Sequence, residues 1–123
     1  MGVDIIQGTD REFSLRIVKK STEEPFDLTG LTGTDLALKM PGTDSDLEFT
    51  MTPNVNGSAL SIASALGGKI LVSLSDIDTA LLKSGDGQNM ELTIKEGAGP
   101  DFEISIVQFS AQLNVKPKLF PPA

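Results

Sequence analysis

Paired carboxylates are the side chains of this sequence that could perform acid–base chemistry, because the chain contains neither histidine nor cysteine. A glycosidase needs two carboxyl groups that flank the scissile bond. Three pairs of acidic residues could provide them: Glu23 with Glu24, Asp76 with Asp78, and Glu91 with Glu103. A turn, a helix N-terminus and outward-facing strand positions explain the same pairs without catalysis. Since tryptophan and tyrosine are also absent, no aromatic sugar platform is expected, and we expect no catalytic residues and no enzyme.

Acidic residues also alternate in one segment whose oxygens could bind Ca²⁺. They are Asp44, Asp46 and Glu48, and Asp86 lies in a second acidic loop between two glycines. Neither loop has the length or the number of ligands of a known calcium motif. Solvated turn residues are the alternative interpretation. We therefore expect no metal and no cofactor, and a Ca²⁺ site near Asp44–Glu48 stays an open question.

The size and charge of the chain restrict the partners it can bind. Its 123 residues suit a single domain. The formal net charge of −7 disfavours nucleic acid and anionic membrane surfaces, because both are negatively charged. Apolar runs fall well short of the roughly 20 residues that a membrane span requires. Without cysteine the chain forms no disulfides, which favours synthesis in the cytoplasm. We expect protein partners, with no nucleic acid and no membrane.

Alternation of apolar and polar residues with a period of two dominates the sequence and predicts strands with one buried face. The apolar positions of the earlier runs are Phe13, Leu15, Ile17, Leu36, Leu38, Met40, Leu47, Phe49 and Met51. Those of the later runs are Leu60, Ile62, Ile70, Val72, Leu74, Met90, Leu92, Ile94, Phe102, Ile104 and Ile106. Turn sequences separate the runs, and Asn56-Gly57 among them is a strong hairpin signal. Seven or eight short strands at this spacing predict an all-β sandwich or barrel.

The last apolar run changes phase between Ile106 and Val107. Apolar residues occupy positions 102, 104 and 106, and then every second position from 107 to 115. A shift of one residue moves every following side chain to the other face of a sheet. We expect a β-bulge or a bend between two sheets at this point. A strand that is buried on both faces is the alternative.

One short helix is expected near residues 76–84. Ser75 is a favourable N-cap, and Asp78 three residues later completes a capping-box pattern. Three apolar residues with helical spacing would share the buried face: Ile77, Ala80 and Leu81. Gly85 suits the position that follows a helix. Leu81 and Leu82 are both expected in the core.

Charged side chains on one strand are the first candidates for contact with other proteins. The strand from Arg11 to Lys20 carries Arg16 and Lys19 on its outward face. Such a strand suits the edge of a sheet, where exposed backbone groups can pair with another chain. Charged residues at an edge can equally prevent that pairing, and both interpretations are kept.

The C-terminal segment is the second candidate for a contact region. Its prolines exclude a central strand, so we assign residues 1–115 to the β-sandwich and residues 116–123 to a Pro-rich arm. Leu119 and Phe120 lie between prolines in this arm. The segment suits either a frayed end or an extended arm that docks on a neighbouring subunit.

Several short motifs occur in a characteristic order along the chain. The N-terminal ones are Ile5–Asp10, Phe13–Ile17, Glu23–Pro25, Phe26–Gly30 and Asp35–Met40; the later ones are Gly68–Leu74, Ser75–Leu82 and Asn89–Ile94. This order resembles the immunoglobulin-like N-terminal domains of bacteriophage baseplate and tail-fibre proteins, such as the upper baseplate proteins of lactococcal phages. One motif also has a direct physical explanation. In it, Asp27 and Thr29 can cap a turn, Leu28 can pack inward, and Gly30 can adopt a positive φ.

The resemblance implies an immunoglobulin-like β-sandwich and a role as a bacteriophage virion structural protein. Baseplate proteins of this kind are usually longer, so a tail, baseplate or connector subunit is expected rather than a fibre. Its partners would be other virion proteins, including copies of itself in a homo-oligomer. Its location would be the virion, after synthesis in the host cytoplasm. A carbohydrate- or receptor-binding module is the alternative, with Phe26 and Phe120 as candidate exposed rings.

Overall fold

The computed structural model describes residues 2–18, 24–95, 103–104 and 112–117. These residues form ten strands and one helix, which confirms an all-β fold. The elements are β1 (Gly2–Ile6), β2 (Arg11–Arg16), β3 (Leu36–Met40), β4 (Leu47–Thr50), β5 (Ala59–Ser64), β6 (Lys69–Leu74), α1 (Asp76–Ala80), β7 (Gly85–Asn89), β8 (Glu91–Lys95), β9 (Glu103–Ile104) and β10 (Gln112–Lys116). The strands number more than the seven or eight expected, because β1 and β7 lie outside the alternating apolar runs.

The described strands form three sheets. In the first sheet β10 is central, with β1 parallel to it on one side and β7 antiparallel on the other. In the second sheet β6 lies between β2 and β5, and both pairings are antiparallel. The third sheet has the order β4-β3-β8-β9, with antiparallel pairing throughout. Arg11, the first residue of β2, lies opposite Leu74, the last residue of β6, just before the helix.

One hydrophobic core receives side chains from all three sheets. In the alternating runs up to Ile94 most apolar residues are buried as predicted, and Leu47, Met51 and Ile62 are half-buried. In β3, for example, Leu36, Leu38 and Met40 are buried while Lys39 is exposed. Each such side chain stabilises the fold by roughly 1.5–3 kcal/mol relative to an exposed position. Period-two alternation therefore identified the inward face of these strands correctly. The side chains of Phe102, Ile104 and Ile106 lie outside the described part.

Strands β1 and β7 form because β10 supplies backbone hydrogen-bonding partners on both of its edges. In β1, Val3 and Ile5 are buried beside Leu113 and Val115 of β10, with which they are in register. The segment Gly85–Asn89 contains no apolar residue. It pairs with β10 through backbone groups, which a search for apolar periodicity does not detect.

The turns at Gly67-Gly68 and at Asn56-Gly57 connect their strands in different ways. Gly67 and Gly68 connect β5 to β6 within one sheet, so this turn is a hairpin. Asn56-Gly57 also forms a turn, in which the Gly57 N–H donates to the carbonyl oxygen of Asn54 at 3.0 Å. It is not a hairpin between neighbouring strands, however, because β4 and β5 belong to different sheets. The turn instead connects the two sheets.

The turn at residues 27–30 has the predicted construction. The Asp27 carboxylate accepts a hydrogen bond from the Thr29 N–H at 2.9 Å, and Leu28 is buried. Gly30 has a φ of +85°, a conformation that favours glycine. The predicted irregularity between Ile106 and Val107 lies outside the described residues and stays a prediction.

Candidate contact surface at the helix end

Helix α1 is shorter than expected. It begins after the N-cap Ser75, whose hydroxyl accepts a hydrogen bond from the Asp78 N–H, and it ends at Ala80 rather than at residue 84. The helix ends here because the backbone groups of Leu81 and Lys83 form hydrogen bonds with residues 41–43 instead of continuing the helix. The Thr43 N–H donates to the Leu81 carbonyl at 3.0 Å, and Leu82 forms a β-bridge with Gly42. Gly85, expected just after the helix, is the first residue of β7.

The helix buries polar side chains, which contradicts the predicted apolar face. Ile77, Ala80 and Leu81 were expected to pack inward, and all three are exposed. Leu82 is buried as predicted, with no exposed surface, whereas the expectation for Leu81 is wrong. Asp78 and Thr79 are the buried residues of α1. The helix is oriented by hydrogen bonds to these two side chains, which override its weak apolar pattern.

The Asp78 carboxylate is the centre of this arrangement, and only 4% of the residue is exposed. Its Oδ2 accepts hydrogen bonds from Asn54 Nδ2 at 2.8 Å, from Ser75 Oγ at 3.3 Å and from Ser58 Oγ. Its Oδ1 accepts a hydrogen bond from Asn56 Nδ2 at 2.9 Å. The carboxylate thus connects the loop of residues 54–58 to the start of the helix.

The hydrogen bonds around Asp78 favour its charged form. Burial by itself raises the pKa of the carboxyl group, but hydrogen bonds from Ser58, Asn54, Asn56 and Ser75 lower it. The net result is a pKa below the ordinary value of 3.8. Every buried side-chain nitrogen and oxygen among the described residues has a hydrogen-bond partner. The cluster is therefore a fully satisfied structural network.

Hydrogen bonds within the loop of residues 54–58 also stabilise its conformation. Asn54 Oδ1 accepts from the backbone N–H groups of Asn56 at 3.0 Å and of Ser58 at 2.9 Å. Gly57 has a φ of +89°, which a side chain would strain. Val55 lies between the two asparagines that bind Asp78. The loop therefore holds Val55 at a fixed position beside the helix.

A second segment, the turn at residues 7–10, also binds the helix. Gln7 Nε2 donates to the Leu82 carbonyl at 2.6 Å, and Thr79 Oγ1 donates to the Thr9 carbonyl at 2.7 Å. The Asp76 N–H donates to Asp10 Oδ1 at 2.8 Å. Ile6 directly precedes this turn. The turn and the loop of residues 54–58 thus hold the helix from two sides through polar contacts.

Four of the five large apolar side chains that are exposed among the described residues lie at this end of the molecule. They are Ile6, Val55, Ile77 and Leu81, with exposed fractions of 49%, 101%, 54% and 43%. Ile77 and Leu81 are four residues apart and share one face of the helical turn. We call these four residues the helix-end surface. The fifth, Leu66, lies in the β5–β6 turn, at the other end of strand β6.

An open groove of about 460 Å³ lies beside this surface. The residues that line it are mainly polar and include Asp10, Arg11, Glu12, Gly57, Ser73 and Ser75. The Arg11 guanidinium lies 5.8 Å from the centre of the Phe13 ring, and its Nε donates to the Asp4 carbonyl at 2.9 Å. The groove therefore offers charged and hydroxyl groups beside an apolar part of the lining that includes Leu74.

The predicted contact residues lie at different places. Arg16 is exposed at the end of β2, an edge strand of its sheet among the described strands, and it is in register with Lys69. It lies at the end of β2 away from the helix. Lys19, Leu119 and Phe120 lie outside the described residues.

The C-terminal segment leaves the described fold at the helix end. Lys116, the last residue of β10, is in register with Ile6 of β1. Its carbonyl accepts a hydrogen bond from the Gln7 N–H at 2.9 Å. Pro117 follows directly. Because Lys116 belongs to β10, the arm predicted from residue 116 starts at Pro117, beside the helix-end surface.

Of the three acidic pairs considered for catalysis, the structure describes both side chains only for Asp76 with Asp78, and these two lie in different environments. Asp76 is exposed, whereas Asp78 is buried and bonded to four side chains. Glu24 and Glu91 are exposed, and the side chains of Glu23 and Glu103 lie outside the described part.

The acidic residues considered for Ca²⁺ are likewise exposed: Asp44, Asp46, Glu48 and Asp86. Among the described residues no three acidic side chains form a group that could hold a metal ion. Within the same residues, no helix has the length and apolar character needed to cross a membrane.

No protein-family model matches this chain, and no curated protein has significant sequence similarity to it.

Proposed function

We propose that this protein is a bacteriophage virion structural protein, a tail, baseplate or connector subunit that acts through protein–protein contacts at its helix end. The observation that carries the contact role is the helix-end surface. Val55, Ile77 and Leu81 lie on segments that Asp78 joins, and Ile6 precedes the turn that is bonded to Asp76, Thr79 and Leu82. The virion assignment and the immunoglobulin-like sandwich rest on the order of sequence motifs that resembles phage baseplate domains.

A fixed apolar surface suits assembly for an energetic reason. Single exposed apolar residues are common on protein surfaces, but a cluster confined to one end indicates an interaction site. Ordering a mobile loop on binding costs roughly 0.5–1.5 kcal/mol for each immobilised side chain. Because hydrogen bonds already hold the loop of residues 54–58 and the turn of residues 7–10, much of that ordering precedes binding.

The C-terminal arm provides a second element for assembly. It starts at Pro117, next to Ile6, and carries Leu119 and Phe120. In a symmetric oligomer an extended arm of one subunit can bind the apolar surface of the next. The helix-end surface of a neighbouring copy is the binding site we propose for this arm.

Self-association of surface variants tests this proposal. Ile77→Ser and Leu81→Ser should each weaken assembly by roughly tenfold, as expected for apolar residues in an interface. Leu66→Ser is the control, because it removes a leucine that is even more exposed and lies far from the helix. Sedimentation velocity and native mass spectrometry would measure the oligomer. A protein that stays monomeric at high concentration, or an equal loss in all three variants, would contradict the contact role.

Removal of residues 117–123 tests the arm separately. The truncated protein should lose its oligomeric state while its melting temperature barely changes, because the last buried residue of the described core is Val115 in β10. Unchanged assembly after truncation would refute the role of the arm. Mass spectrometry of purified virions from the phage that encodes the chain tests the virion assignment, and absence from the particle would refute it.

A second function, carbohydrate or receptor binding, is favoured by the groove at Asp10–Glu12. Carboxylates, hydroxyls and an arginine are suitable partners for sugar hydroxyl groups. Glycan-array binding that disappears in Glu12→Gln, or in Phe120→Ala, would support this function. If Ile77→Ser and Leu81→Ser assemble as the unmodified protein does, and the protein binds a specific glycan, the second function replaces the first.

A further inference from the structure

One dipeptide in the loop of residues 54–58 is chemically labile. Asn56 precedes Gly57, and the other three asparagines, Asn54, Asn89 and Asn114, precede valine or methionine. The backbone nitrogen after an asparagine can attack the side-chain amide carbon. Glycine permits this attack best because no side chain shields its nitrogen and its backbone reaches the required conformations.

The reaction consumes one water molecule and releases ammonia. The backbone nitrogen of Gly57 forms a bond to Cγ of Asn56, and the amide nitrogen leaves as ammonia, so that a cyclic succinimide results. Water then opens the ring at one of its two carbonyl carbons. The product is aspartate when the bond to the Gly57 nitrogen breaks on the side-chain carbon, and isoaspartate when the backbone carbon is attacked.

Both reacting groups are held by hydrogen bonds in the folded loop. The Gly57 N–H donates to the Asn54 carbonyl at 3.0 Å, and Asn56 Nδ2 donates to Asp78 Oδ1 at 2.9 Å. The nitrogen cannot reach Cγ until these bonds open. We propose that Asn56 is a deamidation site protected by the folded loop, and that its conversion irreversibly releases the loop of residues 54–58 from helix α1.

The product cannot restore the original contact. Deamidation replaces the donor of Asn56 with a carboxylate at a place 2.9 Å from Asp78 Oδ1. Two carboxylates at this separation repel each other when both are ionised. Isoaspartate also lengthens the backbone by one carbon, which disrupts the turn that Asn54 caps. The inference rests on the loop alone and is independent of the proposed function.

Peptide mapping by mass spectrometry tests the site and its protection. The whole protein is incubated at mildly alkaline pH, once folded and once in urea. In urea Asn56 should deamidate while the other three asparagines stay intact, and in the folded protein its rate should be several-fold lower because only the open loop reacts. An intact Asn56 in urea, or equal rates in both conditions, would overturn the proposal.

The structural consequence is tested with variants. Asn56→Asp should melt about 5–10 °C below the unmodified protein, since it removes a hydrogen bond to a charged group and adds repulsion. Asp78→Asn introduced into Asn56→Asp should recover part of this loss, because donor and acceptor are exchanged. Asn89→Asp, in exposed strand β7, is the control. An unchanged melting temperature for Asn56→Asp would refute the release of the loop from helix α1. If a variant fails to fold, the melting temperature of the unmodified protein after incubation at alkaline pH tests the same point.

Discussion

Replacement of Asp78 with asparagine is the most informative perturbation of this fold. The carboxylate accepts four side-chain hydrogen bonds, and a hydrogen bond to a charged group contributes about 1.5–3 kcal/mol. An asparagine side chain can place its oxygen at the position of Oδ2, where three of the donors lie. Its NH₂ group then faces the Asn56 amide, so one bond is lost and the other three no longer have a charged acceptor. Asn54 and Asn56 can then turn toward water, which reduces the loss.

These opposing effects lead to an expected destabilisation of about 3 kcal/mol, or about 10 °C in melting temperature for a domain of this length. Urea unfolding at neutral pH, followed by circular dichroism, measures the first quantity. Asp76→Asn is the matched control, because Asp76 is an exposed carboxylate in the same helix. It should change the free energy of unfolding by less than about 0.5 kcal/mol.

The pH dependence provides an independent check on the same carboxylate. Because the pKa of Asp78 is lower in the folded protein than its ordinary value of 3.8, its stabilisation is fully present above that value. The stabilisation is lost as the pH falls through the lowered pKa. The difference between the unmodified protein and Asp78→Asn should therefore be constant down to about pH 4 and shrink below it. A variant as stable as the unmodified protein at neutral pH, or a difference that grows in acid, would refute this reasoning.

Two further predictions compare neighbouring or similar residues. Leu82→Ala should lower the free energy of unfolding by about 2–4 kcal/mol, because Leu82 is fully buried. Leu81→Ala should lower it by less than about 1 kcal/mol, because Leu81 is exposed. Equal decreases of the melting temperature in the two variants would contradict these positions. Gly68→Ala should be more damaging than Gly57→Ala, although both glycines have positive φ angles. A Cβ at Gly68 would collide with the backbone carbonyl of Ile17, whereas nothing lies within 4 Å of one at Gly57; urea unfolding of both variants measures the difference.

The strands of the core could be predicted from sequence because each has one buried face. Phe13 and Leu15 in β2, or Leu92 and Ile94 in β8, alternate with polar residues and point into the core. Strand β7 could not be found in this way, since its pairing depends on backbone groups that every residue carries. The sequence also did not show which strands share a sheet. Asn56-Gly57 predicted a hairpin, but the loop connects strands of two different sheets.

The orientation of the helix could not be predicted, because two signals in its sequence conflict. The spacing of Ile77 and Leu81 indicates an apolar buried face, but a helix of five residues offers too little apolar area to outweigh specific hydrogen bonds. The spacing of Ser75 and Asp78 correctly indicated an N-cap. That Asp78 would also bind Asn54, Asn56 and Ser58 depends on a loop about twenty residues away in the chain, which local sequence rules do not relate to the helix.

The burial of Asp78 and the exposure of the apolar residues are two consequences of one arrangement. Ile77 lies about 100° from Asp78 around the helix axis, so a helix that turns this carboxylate inward leaves Ile77 exposed. Leu81, the C-cap residue, is exposed as well. Stability and assembly therefore depend on the same element in different ways. Loss of the Asp78 contacts should reduce both, whereas Ile77→Ser should reduce assembly with little change in melting temperature. If assembly persists after the Asp78 contacts are lost, the fixed position of Val55 and Ile77 is not what the interface requires.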